Sequence, residues 1–75
     1  MLTEDEFDVI KKMLEKQIAS NKRSTVRVVM MMLIPEVFKC PEPKYIAILD
    51  MAMKYLGEND ELWKHCEAIK RWIKK

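Results

Sequence analysis

The feature that most constrains this chain is an apolar run at residues 28–34, Val-Val-Met-Met-Met-Leu-Ile, which meets Pro35. A helix on the surface of a small domain needs only one apolar stripe, whereas this segment is apolar nearly all round. A chain of 75 residues has little interior in which to enclose a whole helix. The surplus apolar surface must therefore be covered by the other helices, by a second copy of the chain or by another protein.

Composition predicts an all-α fold in a single domain, residues 1–75. Apolar residues make up 49% of the chain, which is enough for a core and argues against disorder. The single Gly and three clustered Pro leave long stretches of helix-forming residues. A domain this short is near the lower limit for a free-standing core, and such domains often gain stability from disulfides, metals or self-association.

Helical spacing predicts two helices in the first half of the chain. The first spans residues 4–19 and starts at a capping box formed by Thr3 and Glu6. The second starts after Ser24 as N-cap and ends before residue 40. Pro35 lacks an amide donor and clashes with the preceding turn, so helix 2 should be kinked or split there. The core-facing positions of these helices are Phe7, Ile10, Leu14, Ile18, Val26, Val29, Met30, Leu33 and Val37.

Two further helices should follow the break at residues 40–43. Helix 3 is expected to begin near Pro43, since proline is favoured in a first turn, and to end at Gly57. Asn59 or Asp60 should cap helix 4, which runs to the end of the sequence. The expected architecture is a compact four-helix domain made of two helical hairpins. Helices 2 and 3 should be central because they lack polar faces.

No pattern in the chain indicates catalysis, a cofactor or a metal. His65 adjoins Cys66, but neighbouring helical residues do not face each other, so the pair makes a poor catalytic dyad. One Gly cannot build a Gly-rich phosphate loop. Cys40, His65 and Cys66 match no zinc signature, and a closed zinc site usually takes four ligands. We therefore expect a non-enzymatic protein with no cofactor, no metal and no small-molecule substrate.

The sequence also indicates a cytoplasmic protein that does not enter a membrane. The longest apolar run is the seven residues 28–34, whereas a membrane span needs about 20. Residues 1–6 are acidic and lack the basic-then-apolar plan of a signal peptide. In a reducing compartment the two cysteines are expected to be free thiols.

Two basic clusters keep nucleic acid open as an alternative partner. Lys22, Arg23 and Arg27 lie around the first turn, and Lys64 and Arg71 lie on the outer face of helix 4. Helices 2 and 3 offer almost no polar groups to base edges, which excludes a helix-turn-helix mode of sequence recognition. A regulator that binds phosphates through these cations remains possible, although the formal net charge is only +2.

The leading prediction is a small protein–protein interaction module, an adaptor or an inhibitor of a larger protein, that also self-associates as a homodimer. Met30, Met31 and Met32 cannot all point into one core, and methionine adapts to irregular partner surfaces. Tryptophan is enriched at interfaces. The alternative is that neighbouring helices wrap helix 2 completely. The predicted interface residues are Val28, Met31, Met32, Pro35, Phe38, Trp63 and Trp72.

Overall fold

Four α-helices make up most of residues 2–74, the part of the chain that the computed structural model describes. They are α1 (Glu4–Ala19), α2 (Arg23–Lys39), α3 (Tyr45–Leu56) and α4 (Glu61–Lys74). No strand occurs within this described range, so the all-α expectation is confirmed. The expected domain limits, residues 1 and 75, lie outside the described residues.

The sequence predicts the start of a helix best where local hydrogen bonds determine it. The hydroxyl of Thr3 accepts from the Glu6 amide at 3.1 Å, and the Thr3 amide donates to the Glu6 carboxylate at 3.0 Å, which is the expected capping box. These bonds lower the pKa of Glu6. The predicted N-cap role of Ser24 is wrong: the N-cap is Lys22, two residues earlier, and its side chain makes no capping bond. Helix α3 begins at Tyr45, two residues after Pro43.

Helix α2 runs without a break through Pro35, so the chain is not split there. Proline removes one amide donor from the helix, but the turn that follows is held by other contacts. Val37 is fully buried, the Cys40 amide donates to the Glu36 carbonyl at 3.1 Å, and Phe38 stacks on Trp72. Burial of Val37 therefore keeps the last turn of α2 packed on the rest of the domain, although Pro35 cannot donate a hydrogen bond.

Helices α2 and α3 occupy the centre of the packing. Each of them contacts the other three helices, whereas α1 and α4 make no contact with each other over the described residues. Burying one such apolar side chain stabilises the fold by about 1.5–3 kcal/mol. The fully buried side chains include Leu14, Val26, Met30, Val37, Ile48, Leu49 and Cys66.

The packed helices form a thin slab that measures 30 × 28 × 16 Å between Cα atoms. Packed helices lie about 8–10 Å apart, so the short dimension has room for about two layers of helices. The radius of gyration is 11.4 Å, close to the value of about 11 Å expected for a compact domain of this length. In a two-layer slab even a central helix keeps one side toward solvent, which is the position of α2.

Candidate interaction surface

The outer side of α2 carries an exposed row of apolar side chains. Val28, Met31 and Met32 are 54%, 59% and 73% exposed, and Pro35 is exposed one turn further on. Their spacing of three and four residues places them on one side of the helix. The opposite side is buried and carries Val26, Met30, Leu33 and Val37. We refer to Val28, Met31, Met32 and Pro35 as the Met ridge.

A groove between α1 and α2 borders the Met ridge on one side. It has a volume of about 430 Å³ and a mainly apolar lining. Carboxylates of Glu6 and Glu36 are the charged groups that line it. The apolar side chains that line this α1–α2 groove are Leu2, Ile10, Met13, Val29, Met32 and Leu33. Met32 therefore belongs both to the ridge and to the wall of the groove.

A second groove, of about 310 Å³, borders the Met ridge on the side of α4. Met31 and Pro35 of the ridge line it, and so does exposed His65. Its other lining residues are Arg27, Ile34, Glu61 and Leu62. The ridge thus lies between two grooves, one with acidic groups and one with groups of both charges.

The aromatic residues of the predicted interface lie in two different environments. Phe38 continues the outer side of α2, and its ring stacks on that of Trp72 with centroids 5.5 Å apart and an interplanar angle of 15°. Both side chains remain exposed. Trp63 instead is half-buried against the core. The structure therefore brings Phe38 and Trp72 together and places Trp63 as a packing residue, whose interface role stays a prediction.

Two residues of α1 belong to this surface although they are not among the predicted interface residues. Val9 and Met13 are exposed; Met13 lines the α1–α2 groove, and Val9 borders a shallower pocket beside it. Neither residue is one of the core-facing positions of helix 1, so the sequence does indicate that their side chains lie outside the core. Whether that flank faces the same side as Met32 depends on how α1 packs on α2, which is not a local property.

A buried carboxylate holds two of the predicted basic residues. The side chain of Asp60 is only 4% exposed and accepts from Arg27, from Arg23 at 2.8 Å and from the Leu62 amide at 2.9 Å. Arg23 also donates to the Leu56 carbonyl at 2.9 Å. The hydrogen bond from Arg27, followed by that from the Leu62 amide, lowers the pKa of Asp60. The cluster joins the start of α2 to the end of α3 and the start of α4.

The other cations predicted for nucleic-acid binding lie on separate parts of the surface. Arg71 donates to Glu67 on its own helix at 3.1 Å, an exposed pair of the i,i+4 type. Lys22 directly precedes α2 and Lys64 lies on α4, and both side chains are exposed. Carboxylates therefore partly neutralise three of the five predicted phosphate contacts, which weakens the electrostatic attraction that such binding needs.

The two cysteines and the histidine lie in different environments. Cys66 is buried, and desolvation followed by the charge of Asp60 raises the pKa of its thiol to about 11, so the thiol stays protonated at neutral pH. His65 is exposed beside it. Both cysteines are free thiols. Within residues 2–74, no three His, Cys, Asp or Glu side chains are grouped closely enough to bind a metal ion.

No family model matches the chain, and no curated protein or solved structure is significantly similar to it. Over the described part of the chain, no helix combines the length and the apolar character that crossing a bilayer requires. The Met ridge and its two grooves are therefore the features on which a functional proposal rests.

Proposed function

We propose that the protein is a non-enzymatic protein–protein interaction module, a cytoplasmic adaptor or inhibitor that regulates a larger protein. The observation that carries this proposal is the uneven distribution of exposed apolar side chains among the helices. Seven large hydrophobic side chains are exposed in the described chain, and none of them belongs to α3. They are Val9, Met13, Val28, Met31, Met32, Phe38 and Trp72. We refer to these seven residues as the apolar face.

The members of the apolar face are linked by contacts and by helical spacing. Met13 and Met32 line the same groove, so α1 and α2 contribute to one surface. Val28 lies about one helical turn from both Met31 and Met32. Phe38 is one turn beyond Pro35 and contacts Trp72 of α4. Soluble monomers rarely expose contiguous apolar patches larger than a few hundred Å², which favours a covering partner.

The chemistry of the apolar face is that of a protein interface. Interfaces have an apolar centre and a polar rim, and they are enriched in methionine and aromatic residues. Here the Met ridge forms the centre, and Glu6, Glu36 and His65 line the flanking grooves. Unbranched methionine side chains can adapt to an irregular partner surface.

Affinity capture tests this proposal with a matched pair of variants. We expect Met31→Glu plus Met32→Glu to abolish capture of the specific partner from the native host's lysate, because both charges would be buried at the interface. Ala47→Glu plus Lys54→Gln changes the net charge by the same two units at exposed positions of α3, which carries no member of the apolar face, and should leave capture unchanged. An unchanged set of captured proteins in the first variant would contradict the proposal.

Nucleic acid is the alternative partner, through Lys22, Arg23, Arg27, Lys64 and Arg71. Retention on heparin or DNA separates the two functions, because binding to several phosphates weakens steeply with salt, whereas an apolar contact changes little. We expect no salt-sensitive retention near physiological ionic strength. Steep salt dependence that Lys22→Ala plus Lys64→Ala removes would favour the alternative.

The proposal includes two finer features of the architecture. We propose that α1 pairs with α2 and α3 with α4 as helical hairpins, and that α2 bends at Pro35. The lost amide donor of proline is a common cause of helix bending. A bend at this point would tilt the last turn of α2, and thus Phe38, toward Trp72.

A further inference from the structure

We propose that the apolar face binds a second copy of this chain, with α2 packed antiparallel on α2 about a twofold axis that crosses the helix at right angles between Val28 and Met32. This inference rests on the proposed function and names its partner. In this arrangement Val28 of each copy lies beside Met32 of the other. The Met ridge of one copy then packs against the Met ridge of the other copy and over its α1–α2 groove, as ridges pack into grooves.

The first argument is the size of the apolar face. Its seven side chains are between 41% and 73% exposed. Together they offer at most on the order of 800 Å² of apolar surface, if the value of about 200 Å² for an aromatic side chain is taken as the upper limit for each of them. A standard protein interface covers about 800 Å² on each partner. The face therefore has about the size that a stable dimer of this chain needs.

The second argument is the absence of charge from the centre of the Met ridge. A twofold axis brings each central residue close to its own copy, so a charge there would meet a like charge. Between Ser24 and Phe38 the only charged residues are Arg27 and Glu36. Arg27 binds Asp60, and Glu36 lines the α1–α2 groove. Neither lies on the ridge, so two ridges can meet without like-charge repulsion.

The third argument is the charge distribution on the α1 side of the ridge. Glu6, in the acidic first turn of α1, and Glu36 line the same groove, so this end is acidic even with Lys39 at 4.0 Å from Glu36. The opposite end carries Lys16 and Lys22 near the turn that joins α1 to α2. Antiparallel packing places the acidic end of each copy against the basic end of the other. It also sets the two α2 dipoles in opposite directions, which is favourable.

The first experiment measures molar mass by light scattering and sedimentation equilibrium from micromolar to millimolar concentration. We expect the wild-type chain to reach twice its mass of 9.0 kDa. Met32→Glu should raise the Kd for dimerisation at least 100-fold, because it buries a charge at the centre of the contact. Ala47→Glu, at an exposed position of α3, which carries no member of the apolar face, is the matched control and should dimerise like the wild type. A wild-type chain that stays monomeric throughout overturns the inference.

The second experiment tests the antiparallel geometry by charge reversal at two surface positions. Glu36→Lys and Lys22→Glu, each alone, should weaken dimerisation about tenfold at low salt, because each places like charges together at both ends of the contact. An equimolar mixture of the two variants should recover wild-type affinity, since opposite charges then face each other again. Circular dichroism checks that each variant has the helix content of the wild type. A mixture of the two folded variants that associates no more tightly than either variant alone overturns the geometry.

The two proposals can fail separately. If the wild-type chain is monomeric while Met31→Glu plus Met32→Glu still abolishes capture of another protein, the second copy is not the partner and the interaction module stands. If the chain dimerises as expected but the same double variant captures its other partners unchanged, the dimer stands and the adaptor function fails.

Discussion

Asp60 shows how one side chain can connect two helices that are distant in the sequence. Its carboxylate caps α4 through the Leu62 amide and binds Arg23 and Arg27 of α2. The cap is visible in the sequence because it depends on a residue two positions away. The two ion pairs are not visible, since they join residues more than 30 positions apart. The same arginines can be interpreted from sequence alone as a phosphate-binding cluster.

We predict that Asp60→Asn lowers the free energy of unfolding by about 1 kcal/mol at neutral pH, because both arginines are nearly half-exposed and can be solvated. Asparagine is itself a good N-cap, so Asp60→Ala should cost about 1 kcal/mol more. The pKa of Asp60 is lowered in the folded state, so its contribution is complete above its ordinary pKa of 3.8 and is lost as the pH falls through the folded value. Urea unfolding measured as a function of pH should show this fall in the free energy of unfolding at acid pH in the wild type. The fall should be smaller in Asp60→Asn and as large as in the wild type in Asp8→Asn.

The three consecutive methionines of α2 differ in exposure and should differ in reactivity. Dilute peroxide oxidises accessible methionine to the sulfoxide. We predict that Met31 and Met32 are oxidised well before Met30, which is fully buried between them and the core. Peptide mapping by mass spectrometry at low protein concentration measures the three rates within one peptide. Equal rates at Met30 and Met32 would contradict the assignment of the two sides of α2.

At the scale of elements, periodicity predicts which side of a helix is buried better than it predicts which elements meet. The inner and outer sides of α2 follow from the spacing of its apolar residues. The spacing of apolar residues in α1 likewise shows that Val9 and Met13 are not core-facing positions. It does not show that Met13 lines a groove with Met32, because that depends on how α1 packs on α2. Helix limits follow the same rule: the capping box fixes the start of α1, whereas long-range contacts from Val37 and Phe38 continue α2 past Pro35.

We predict that Pro35→Ala stabilises the monomer by about 1 kcal/mol. Proline in a helix interior costs about 3 kcal/mol relative to alanine, and the smaller gain reflects the position of Pro35 near the end of α2. Its side chain is exposed, so its removal leaves no cavity. Thermal unfolding followed by circular dichroism at low protein concentration measures the change. Pro41→Ala, in the loop before α3, is the control and should be neutral; a destabilised Pro35→Ala would show that the proline is required for packing.

At the scale of the whole molecule, a thin slab of four short helices leaves little margin of stability. A chain of this length is expected to be stable by about 4–11 kcal/mol, and neither a disulfide nor a metal group supports the described residues. The 16 Å dimension explains why α2 can be central and still exposed on one side. A second slab on the apolar face would bury α2 on both sides and add apolar contacts to the small core of the single chain.

This geometry predicts that the melting temperature depends on protein concentration. A partner that binds the folded chain but not the unfolded chain stabilises it by mass action, so each tenfold rise in concentration should raise the wild-type melting temperature by about 4 °C. Ala47→Glu should show the same slope, because it lies on α3 and leaves the apolar face intact. Met32→Glu should melt at one temperature at all concentrations, close to that of the dilute wild type, because an exposed residue contributes little to the fold of the monomer. A flat wild-type profile would show that the slab is stable with its apolar face open to water.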